Sequence, residues 1–438
     1  MKAVALFLAV AALVPCFLLF DWDHGLVRCG LLLGLLALVA VAWRLGPALA
    51  WPASPRFERA VWALVAVLGA VHLGVAISSA WRAGVLGKET EMGAINYRAL
   101  KVVLAGQSPW APTSLLDRGA FHALVTSPDG VRCLEPSGED AVARFESWWQ
   151  SADVALMDAA VPRVREGVSD CAGPARELRF LSYKYGPVTL ASYAPFVAVL
   201  GRAGVQVSHL AWLALLCVVL ARQVRRWALT ARVVQWVPVL TLLLSGVVAV
   251  DFLQHTDCDL IAVLLAVLAW SALESERPAL GALALAASIS AKLLPGALLV
   301  PVAVLTLWRT PRALVLFGAG VLALLGVAWW SSPQGAVDSL WTFNVARPGD
   351  STAFSSVLPA AVASWLPLAG ALTVGAGAVM AHRVGTREAR LLAALVGILV
   401  FLLTAKVFHN NYVAWFLPFL GWWLALSTAP RATSAQAL

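Results

Sequence analysis

The sequence predicts an all-α membrane protein with many membrane-spanning helices. Hydrophobic residues make up 61% of the 438-residue chain and charged residues only 13%, whereas soluble domains carry roughly 25% charged residues. Apolar runs close to the ~20 residues that cross a bilayer recur along the chain. A large soluble helical core would need polar helix faces, and most of these runs have none.

The positions of the apolar runs predict about twelve membrane spans. One lies within residues 188–221, where Gly201-Arg202-Ala203-Gly204 interrupts the run. Two crossings there would put the following arginines on the wrong side, so we expect one net crossing, with the part around Pro187 and Pro195 re-entrant or at the interface. Thirteen spans is the alternative. The other eleven are Ala3–Phe20, Leu26–Trp43, Ala60–Ala80, Val233–Val250, Leu260–Trp270, Ala279–Leu294, Gly296–Leu307, Ala313–Trp330, Pro359–Ala381, Leu391–Thr404 and Tyr412–Leu426.

Arginine clusters in the short loops predict the orientation. The formal net charge of +8 first suggests nucleic acid, but no basic-aromatic stripe typical of such binding is present in the sequence. Clustered arginines between spans instead mark cytoplasmic loops. The amino terminus is then inside, and the long polar segment after the third span is outside. Because Leu26–Trp43 follows the first apolar run almost at once, we expect that run to be a retained span and not a signal peptide.

The chain divides into three predicted regions. Residues 1–80 form amino-terminal spans, residues 81–187 a large outer loop, and residues 188–438 a bundle with smaller outer loops. Within the large loop, apolar residues at helical spacing predict an interfacial helix at Ala94–Leu104, with Arg98 on its polar side. A second helical pattern runs from Asp140 to Val164 and includes Trp148 and Trp149, which suit the headgroup level.

Two cysteines, Cys133 and Cys171, lie in the large outer loop. Thiols in a periplasm-like compartment tend to be oxidised, so we expect a disulfide between them. Closing a loop of this length contributes about 3–4 kcal/mol if the geometry is unstrained. The alternative is two free thiols.

The large outer loop begins with paired acids, Glu89 and Glu91. A hydroxyl nucleophile loses its proton as it attacks, and a positioned carboxylate can accept that proton. We therefore take Glu89 and Glu91 as candidates for a catalytic base. The alternative is a pair of solvated surface acids just beyond a helix end.

A shorter outer loop, Asp251–Asp259, carries three carboxylates and the imidazole of His255. Ionisable groups near membrane depth usually face a cavity or a partner, so His255 and Asp257 are candidate binding residues. Two alternatives stay open: Thr256 or Asp257 caps the helix at Leu260, or His255, Asp257 and Asp259 bind metal, although their spacing is no specific signature. We predict neither metal nor cofactor.

Cations, amides and aromatic rings occur in three further segments on the same side. Lys292 ends an apolar run just before Pro295; it suits a phosphate partner, or it extends its ammonium group to the membrane surface. Cations of this kind stabilise charge that develops on a leaving phosphate. The remaining candidates are Lys184, Tyr185, His409 and Asn410.

Three short motifs occur in a fixed order along the chain. They run from Glu91 through Tyr97 to Gly106-Gln-Ser-Pro-Trp110, then Tyr185-Gly186-Pro187, then Ser288-Ile-Ser-Ala-Lys-Leu-Leu-Pro295. In order and placement they resemble motifs of the GT-C superfamily of integral-membrane glycosyltransferases, above all the bacterial polyprenyl-phosphate-mannose-dependent mannosyltransferases of glycosyltransferase family 87. The chain departs from the family near Gly93, where an aspartate is usual. Because Glu91 lies two residues upstream of that position, the resemblance makes Glu91 the first candidate for the catalytic base and Glu89 the second.

The resemblance implies a GT-C-like bundle in the bacterial inner membrane, with the 81–187 loop as an extracytoplasmic catalytic loop. The implied reaction moves a sugar, mannose, from a polyprenyl-phosphate donor to a lipid-linked or glycan acceptor with inversion, in contact with membrane lipids and without nucleic acid. Tyr97 and Arg98 of the first motif join the predicted substrate-binding residues, and Lys184, Lys292 and His409 are candidates for the donor phosphate. The alternatives are a lipid or solute transporter or flippase, and a catalytically degenerate assembly factor.

Overall fold

The computed structural model describes residues 2–14, 16, 25–45, 54–87, 90–111, 113–115, 118–151, 153–227, 232–343, 353–405 and 407–428. Within these ranges the chain is almost entirely helical, as the composition predicts. Three helices precede the large outer loop: α1 (Lys2–Leu13), α2 (Gly25–Leu45) and α3 (Pro55–Gly84).

The large outer loop folds into short helices around a core of its own. Phe121, Phe145, Trp148, Trp149 and Leu178 are buried together in this core. The expected headgroup position of Trp148 and Trp149 is therefore wrong, because both rings pack inside the loop. The elements are α4 (Glu91–Leu104), α5 (Arg118–Thr126), α6 (Pro128–Cys133), β1 (Leu134–Glu135), α7 (Glu139–Ser151), α8 (Met157–Ala160), β2 (Arg163–Val164) and α9 (Ala172–Arg179).

A disulfide joins Cys133 at the end of α6 to Cys171 just before α9, as the sequence predicts. The two Cα atoms are 5.6 Å apart, within the usual range for such bonds. Next to it, β1 and β2 pair antiparallel, with Leu134 opposite Val164. This two-residue ladder is the one departure from the all-α expectation that the described ranges contain.

The second half of the chain forms a tight bundle of apolar helices. The core is formed mainly by α11, α12, α13 and α21, many of whose side chains are fully buried. The elements are α10 (Pro187–Leu200), α11 (Ala203–Arg226), α12 (Val237–Leu243), a π-helical segment (Val248–Gln254), α13 (Asp259–Glu274), α14 (Pro278–Ala291), α15 (Leu293–Leu307), α16 (Pro311–Ser331), α17 (Pro333–Val337), a second π-helical segment (Asp338–Thr342), α18 (Ala360–Ala363), α19 (Leu366–Val384), α20 (Arg387–Thr404) and α21 (Val413–Ser427).

Helix length and composition identify the segments that can cross a membrane. Four qualify among the described residues, and a fifth if Arg232–Leu243 and Val248–Gln254, bent by 66°, form one broken span. Shorter apolar helices of 10–17 residues occur as well, among them Pro187–Leu200, Pro278–Ala291 and Leu293–Leu307. The membrane-like helical class is therefore confirmed, and the twelve-span count stays a prediction. The four are Pro55–Gly84, Ala203–Arg226, Pro311–Ser331 and Ala360–Val384.

Helix α10 begins and ends at the same end of the bundle. At its start the Gly186 amide donates to the Ala291 carbonyl oxygen, at the end of α14, over 3.0 Å. At its end a two-residue turn leads into α11, whose first residue, Ala203, packs against Gly84 at the end of α3. This path fits one net crossing through residues 188–221.

Candidate functional site

A cavity of about 1090 Å³ lies where the large outer loop meets the bundle. Its wall combines acids, cations, amides and aromatic rings with apolar side chains. Seven residues that the sequence predicted as site residues line it, although they come from four separate segments: Lys184, Tyr185, His255, Asp257, Lys292, His409 and Asn410.

The Pro109-Trp110 pair holds the Tyr183–Tyr185 segment at the cavity. The Tyr183 amide donates to the Pro109 carbonyl oxygen over 3.0 Å. The Trp110 indole N–H donates to the Tyr185 carbonyl oxygen over 2.9 Å. Two of the sequence motifs therefore meet in space, and together they present Lys184 and Tyr185 to the cavity.

Gly186 allows the second motif to dock on the third. A Cβ atom at this position would lie 1.6 Å from the Ser290 carbonyl oxygen, so no other residue fits without a backbone shift. The Gly186 amide and the Thr189 hydroxyl both donate to the Ala291 carbonyl oxygen, over 3.0 and 2.8 Å. This close approach places Tyr185 beside Lys292.

Lys292 forms a buried ion pair with Asp259. Its ammonium group lies 2.9 and 2.8 Å from the two carboxylate oxygens of Asp259. The same carboxylate accepts from the Asn411 amide and the Trp415 indole, both over 2.7 Å, and Asp259 is only 1% exposed. The surface-extended alternative for Lys292 is therefore wrong. Because Asp259 already neutralises the charge of Lys292, this lysine is a weaker candidate for the main phosphate partner.

Aromatic rings surround the same ammonium group. Lys292 Nζ lies 5.1 Å from the ring centre of Tyr412, 5.6 Å from that of Tyr185 and 5.9 Å from that of Trp415. Tyr412 and Trp415 stack with centroids 4.2 Å apart. The rings add cation–π attraction to the ion pair and give the cavity flat apolar faces.

The π-helical segment Val248–Gln254 presents Asp251 to the cavity. The His255 amide donates to the Val250 carbonyl oxygen five residues back, over 2.8 Å, and such π-helical turns are frequent at functional sites. Asp251 is 6% exposed. One carboxylate oxygen lies 3.8 Å from His255 Nδ1, and the other has no hydrogen-bond partner among the described atoms. The contact with Asp251 raises the pKa of His255 above its ordinary 6.5.

Asp257 also faces the cavity, and its carboxylate forms no ion pair or side-chain hydrogen bond with a described residue. Burial, followed by the charges of Asp259 and Asp251, raises its pKa from an ordinary 3.8 to about 7. Helix α13 begins at Asp259 after Cys258 with no side-chain cap, so the capping role expected of Asp257 or Thr256 is wrong. Asp259 is committed to Lys292, and no group of metal-binding side chains occurs in the part of the chain that is described.

Thr90 connects the large outer loop to the Asp251–Asp259 loop. Its hydroxyl donates to the His255 carbonyl oxygen over 2.9 Å and lies 3.0 Å from the Thr256 hydroxyl. Thr90 and Met92 both line the cavity, and α4 begins between them at Glu91. The Glu91 side chain and all of Glu89 lie outside the described residues, so the roles predicted for them stay predictions.

Tyr97 and Arg98 are not among the residues that line the cavity. Arg98 is 5% exposed, and its guanidinium lies 4.2 Å from the ring centre of Trp149. Tyr97 lies under Arg202. The polar side predicted for α4 is thus wrong at Arg98, which packs into the loop core. Its placement supports a structural role in place of the predicted substrate contact.

Several residues of the site were not assigned a binding role from the sequence, among them Asp251, Asn411, Tyr412 and Trp415. Asp259, which pairs with Lys292, was considered only as a metal ligand. Asp251 and Asp259 were visible as carboxylates at the ends of apolar runs, a position that is costly without a partner. Trp415 carried no signal that distinguishes it from core or interface tryptophans.

Comparison of the chain with family models, with curated proteins and with solved structures found no match. The proposed function therefore depends on the chemistry of the cavity.

Proposed function

We propose that the chain is a glycosyltransferase that moves a sugar from a polyprenyl-phosphate donor to a hydroxyl-bearing acceptor. One observation carries the proposal: a single cavity places an uncompensated carboxylate, Asp257, together with a cation, Lys184, aromatic rings and an apolar wall. Its volume of about 1090 Å³ is at the upper end of the usual range for small-molecule sites, roughly 300–1,000 Å³. That space suits a sugar with the first part of a lipid chain.

Asp257 is assigned as the general base. As the acceptor oxygen attacks the anomeric carbon, its proton passes to the Asp257 carboxylate and the bond from that carbon to the phosphate oxygen breaks. The polyprenyl phosphate leaves with the electron pair. A phosphate leaving group needs no general acid, so one carboxylate completes the reaction. A pKa of about 7 matches a base that works near neutral pH.

Another part of the wall suits the donor phosphate. Lys184 lines the cavity, with its ammonium group 4.0 Å from the ring centre of Phe343. His409 and Asn410 line the same cavity. Lys292, paired with Asp259, orients this wall and adds little net charge. Positively charged and donor groups placed where negative charge develops stabilise the transition state.

The remaining wall suits the sugar and the lipid chain. The rings of Tyr185 and Tyr412 offer flat faces to a sugar, and Leu293, Leu294 and Leu325 provide an apolar side. The backbone is extended at Lys292, between α14 and α15, with φ −148° and ψ 131°, and again at Leu294 in the first turn of α15, with φ −99° and ψ 146°. Irregular backbone at membrane depth is tolerated where it lines a cavity. We extend the proposal to a GT-C-like arrangement of about twelve spans, with the cavity at the outer face of a bacterial inner membrane and mannose as the sugar.

Purified protein incubated with labelled polyprenyl-phosphate mannose and lipid or glycan acceptors tests the proposal. We expect label to appear on an acceptor and polyprenyl phosphate to accumulate in equal amount. In vesicles, movement of the donor between leaflets without transfer indicates a flippase. Neither transfer nor movement indicates an assembly factor. Either of these results contradicts the proposed function.

A further inference from the structure

A second cavity, of about 370 Å³, lies at the opposite end of the bundle. The last turns of α11 and α13 and the first turn of α20 form its wall. Helix α13 lies between the two cavities. It begins at Asp259, beside the first cavity, and ends at Glu274, which lines the second cavity. At 1.5 Å per residue these ends are roughly 24 Å apart. The second cavity is lined by Gln223, Arg226, Trp227, Glu274, Ser275, Glu276, Arg277 and Arg387.

Arginines outnumber acids around this second cavity. Glu274, whose side chain is 5% exposed, accepts from Arg387 over 2.7 Å and from Arg390 over 2.9 Å. The two guanidinium groups therefore more than balance the single negative charge of Glu274. Among the lining residues, three arginines (Arg226, Arg277 and Arg387) accompany two glutamates (Glu274 and Glu276), which leaves an excess positive charge of one, and Arg390 adds a further cation beside Glu274.

Two of these arginines carry donors that no acid of the described chain neutralises. The Arg226 guanidinium donates to the neutral Ser275 hydroxyl over 2.7 Å. Arg277 is exposed on the cavity wall. Beside them, Trp227 is 8% exposed and its buried indole N–H has no acceptor among the described atoms. The cavity thus offers hydrogen-bond donors and an excess of positive charge.

We propose that this second cavity binds the phosphate group of an anionic ligand, with an acidic phospholipid headgroup as its source. The proposal is independent of the glycosyltransferase reaction. Guanidinium groups bind phosphate through paired, charge-assisted hydrogen bonds. Basic pockets between the ends of membrane helices bind acidic lipid headgroups, and the cavity lies at such ends. Arg226 and Arg277 are the phosphate ligands.

The test is lipid binding by the intact protein, measured by native mass spectrometry in detergent. Phosphatidylglycerol is added in one arm, phosphatidylcholine in a second and inorganic phosphate in a third. We expect phosphatidylglycerol to bind more tightly than phosphatidylcholine. Each arginine near a membrane surface accounts for roughly a fivefold change in affinity for acidic lipid. The Arg226→Gln/Arg277→Gln variant should therefore bind phosphatidylglycerol about thirtyfold more weakly.

Arg222→Gln is the matched control, because Arg222 is an exposed arginine at the same end of α11 that does not line the cavity. It should bind phosphatidylglycerol as the wild type does. Arg277→Gln alone keeps the Arg226–Ser275 hydrogen bond and should still lose about fivefold, which separates loss of a ligand from misfolding. If inorganic phosphate at equal concentration displaces phosphatidylglycerol, the cavity is a site for a free anion and not for a lipid headgroup. Equal losses in the control and the double variant, or no loss in the double variant, overturn the proposal.

Discussion

Removing Lys292 from the buried ion pair tests how the cavity wall is held. The Lys292→Met variant leaves the Asp259 carboxylate, 1% exposed, with hydrogen bonds from Asn411 and Trp415 and no opposite charge. Breaking one side of a buried pair destabilises a protein by about 3–5 kcal/mol. Total stabilities are commonly about 5–15 kcal/mol, so the loss in the free energy of unfolding is large enough to measure.

The double variant Lys292→Met/Asp259→Asn gives the decisive comparison. It removes both charges together, so no uncompensated charge stays buried. We expect it to be more stable than the sum of the single variants predicts, by about 2 kcal/mol or more. The assay is equilibrium unfolding in mixed micelles, with Lys101→Met as the control, because Lys101 is exposed on α4. The control should change the free energy of unfolding by less than about 0.5 kcal/mol.

Sugar transfer by the same variants separates the two roles considered for Lys292. If the pair only holds the wall, the double variant recovers transfer that Lys292→Met loses. A double variant as stable as the wild type but inactive assigns Lys292 to the donor phosphate. A loss of less than about 1 kcal/mol in Lys292→Met, or strictly additive costs, refutes the buried pair as a stabilising unit.

Three further predictions follow from the same contacts. Replacing Cys133 and Cys171 by serine should destabilise the outer-loop domain by about 3–4 kcal/mol, seen as faster limited proteolysis without reductant. Gly186→Ala should fail to accumulate as folded protein on size-exclusion chromatography, because its Cβ would lie 1.6 Å from the Ser290 carbonyl oxygen. Transfer should rise with pH through about 7 as Asp257 ionises. Because burial raises this pKa from 3.8 to about 7, the contribution of protonated Asp257 to stability should fall as the pH rises from 3.8 to about 7 and be lost above that.

Matched controls distinguish these effects from general damage. Cys217→Ser removes a free thiol and should leave proteolysis of the outer loop unchanged. Gly173→Ala adds a methyl group with nothing within 4 Å and should fold normally. Equal behaviour of a variant and its control contradicts the corresponding prediction, and a flat pH profile between 6 and 8 contradicts the role of Asp257.

Much of the candidate site could be predicted because its residues lie at the ends of apolar runs. Lys184, His255, Asp257, Lys292 and His409 each adjoin such a run. Helix ends on one side of a bundle lie near each other whatever the packing order, so these residues reach a common cavity. The disulfide could be predicted for a related reason, since two cysteines of a loop expected to face an oxidising compartment have few other partners.

What could not be predicted depends on packing between distant segments. The Lys292–Asp259 pair joins residues 33 positions apart, and nothing in the local pattern distinguishes it from a pair with Asp257. The helical spacing of apolar residues in α4 places Arg98 on the solvent side only if α4 is an isolated helix on a membrane. In the structure the loop core covers that side, and the guanidinium stacks on Trp149.

The most direct test of the central claim is the rate of sugar transfer by Asp257→Asn relative to wild type, with donor binding measured in parallel. Loss of a general base lowers the rate by about 10²–10⁴-fold, and we expect a decrease of at least 100-fold with donor binding retained. Glu91→Gln provides the comparison with the acid at the start of α4. Undiminished transfer by Asp257→Asn contradicts the assignment, and a wild-type protein that transfers no sugar contradicts the function itself.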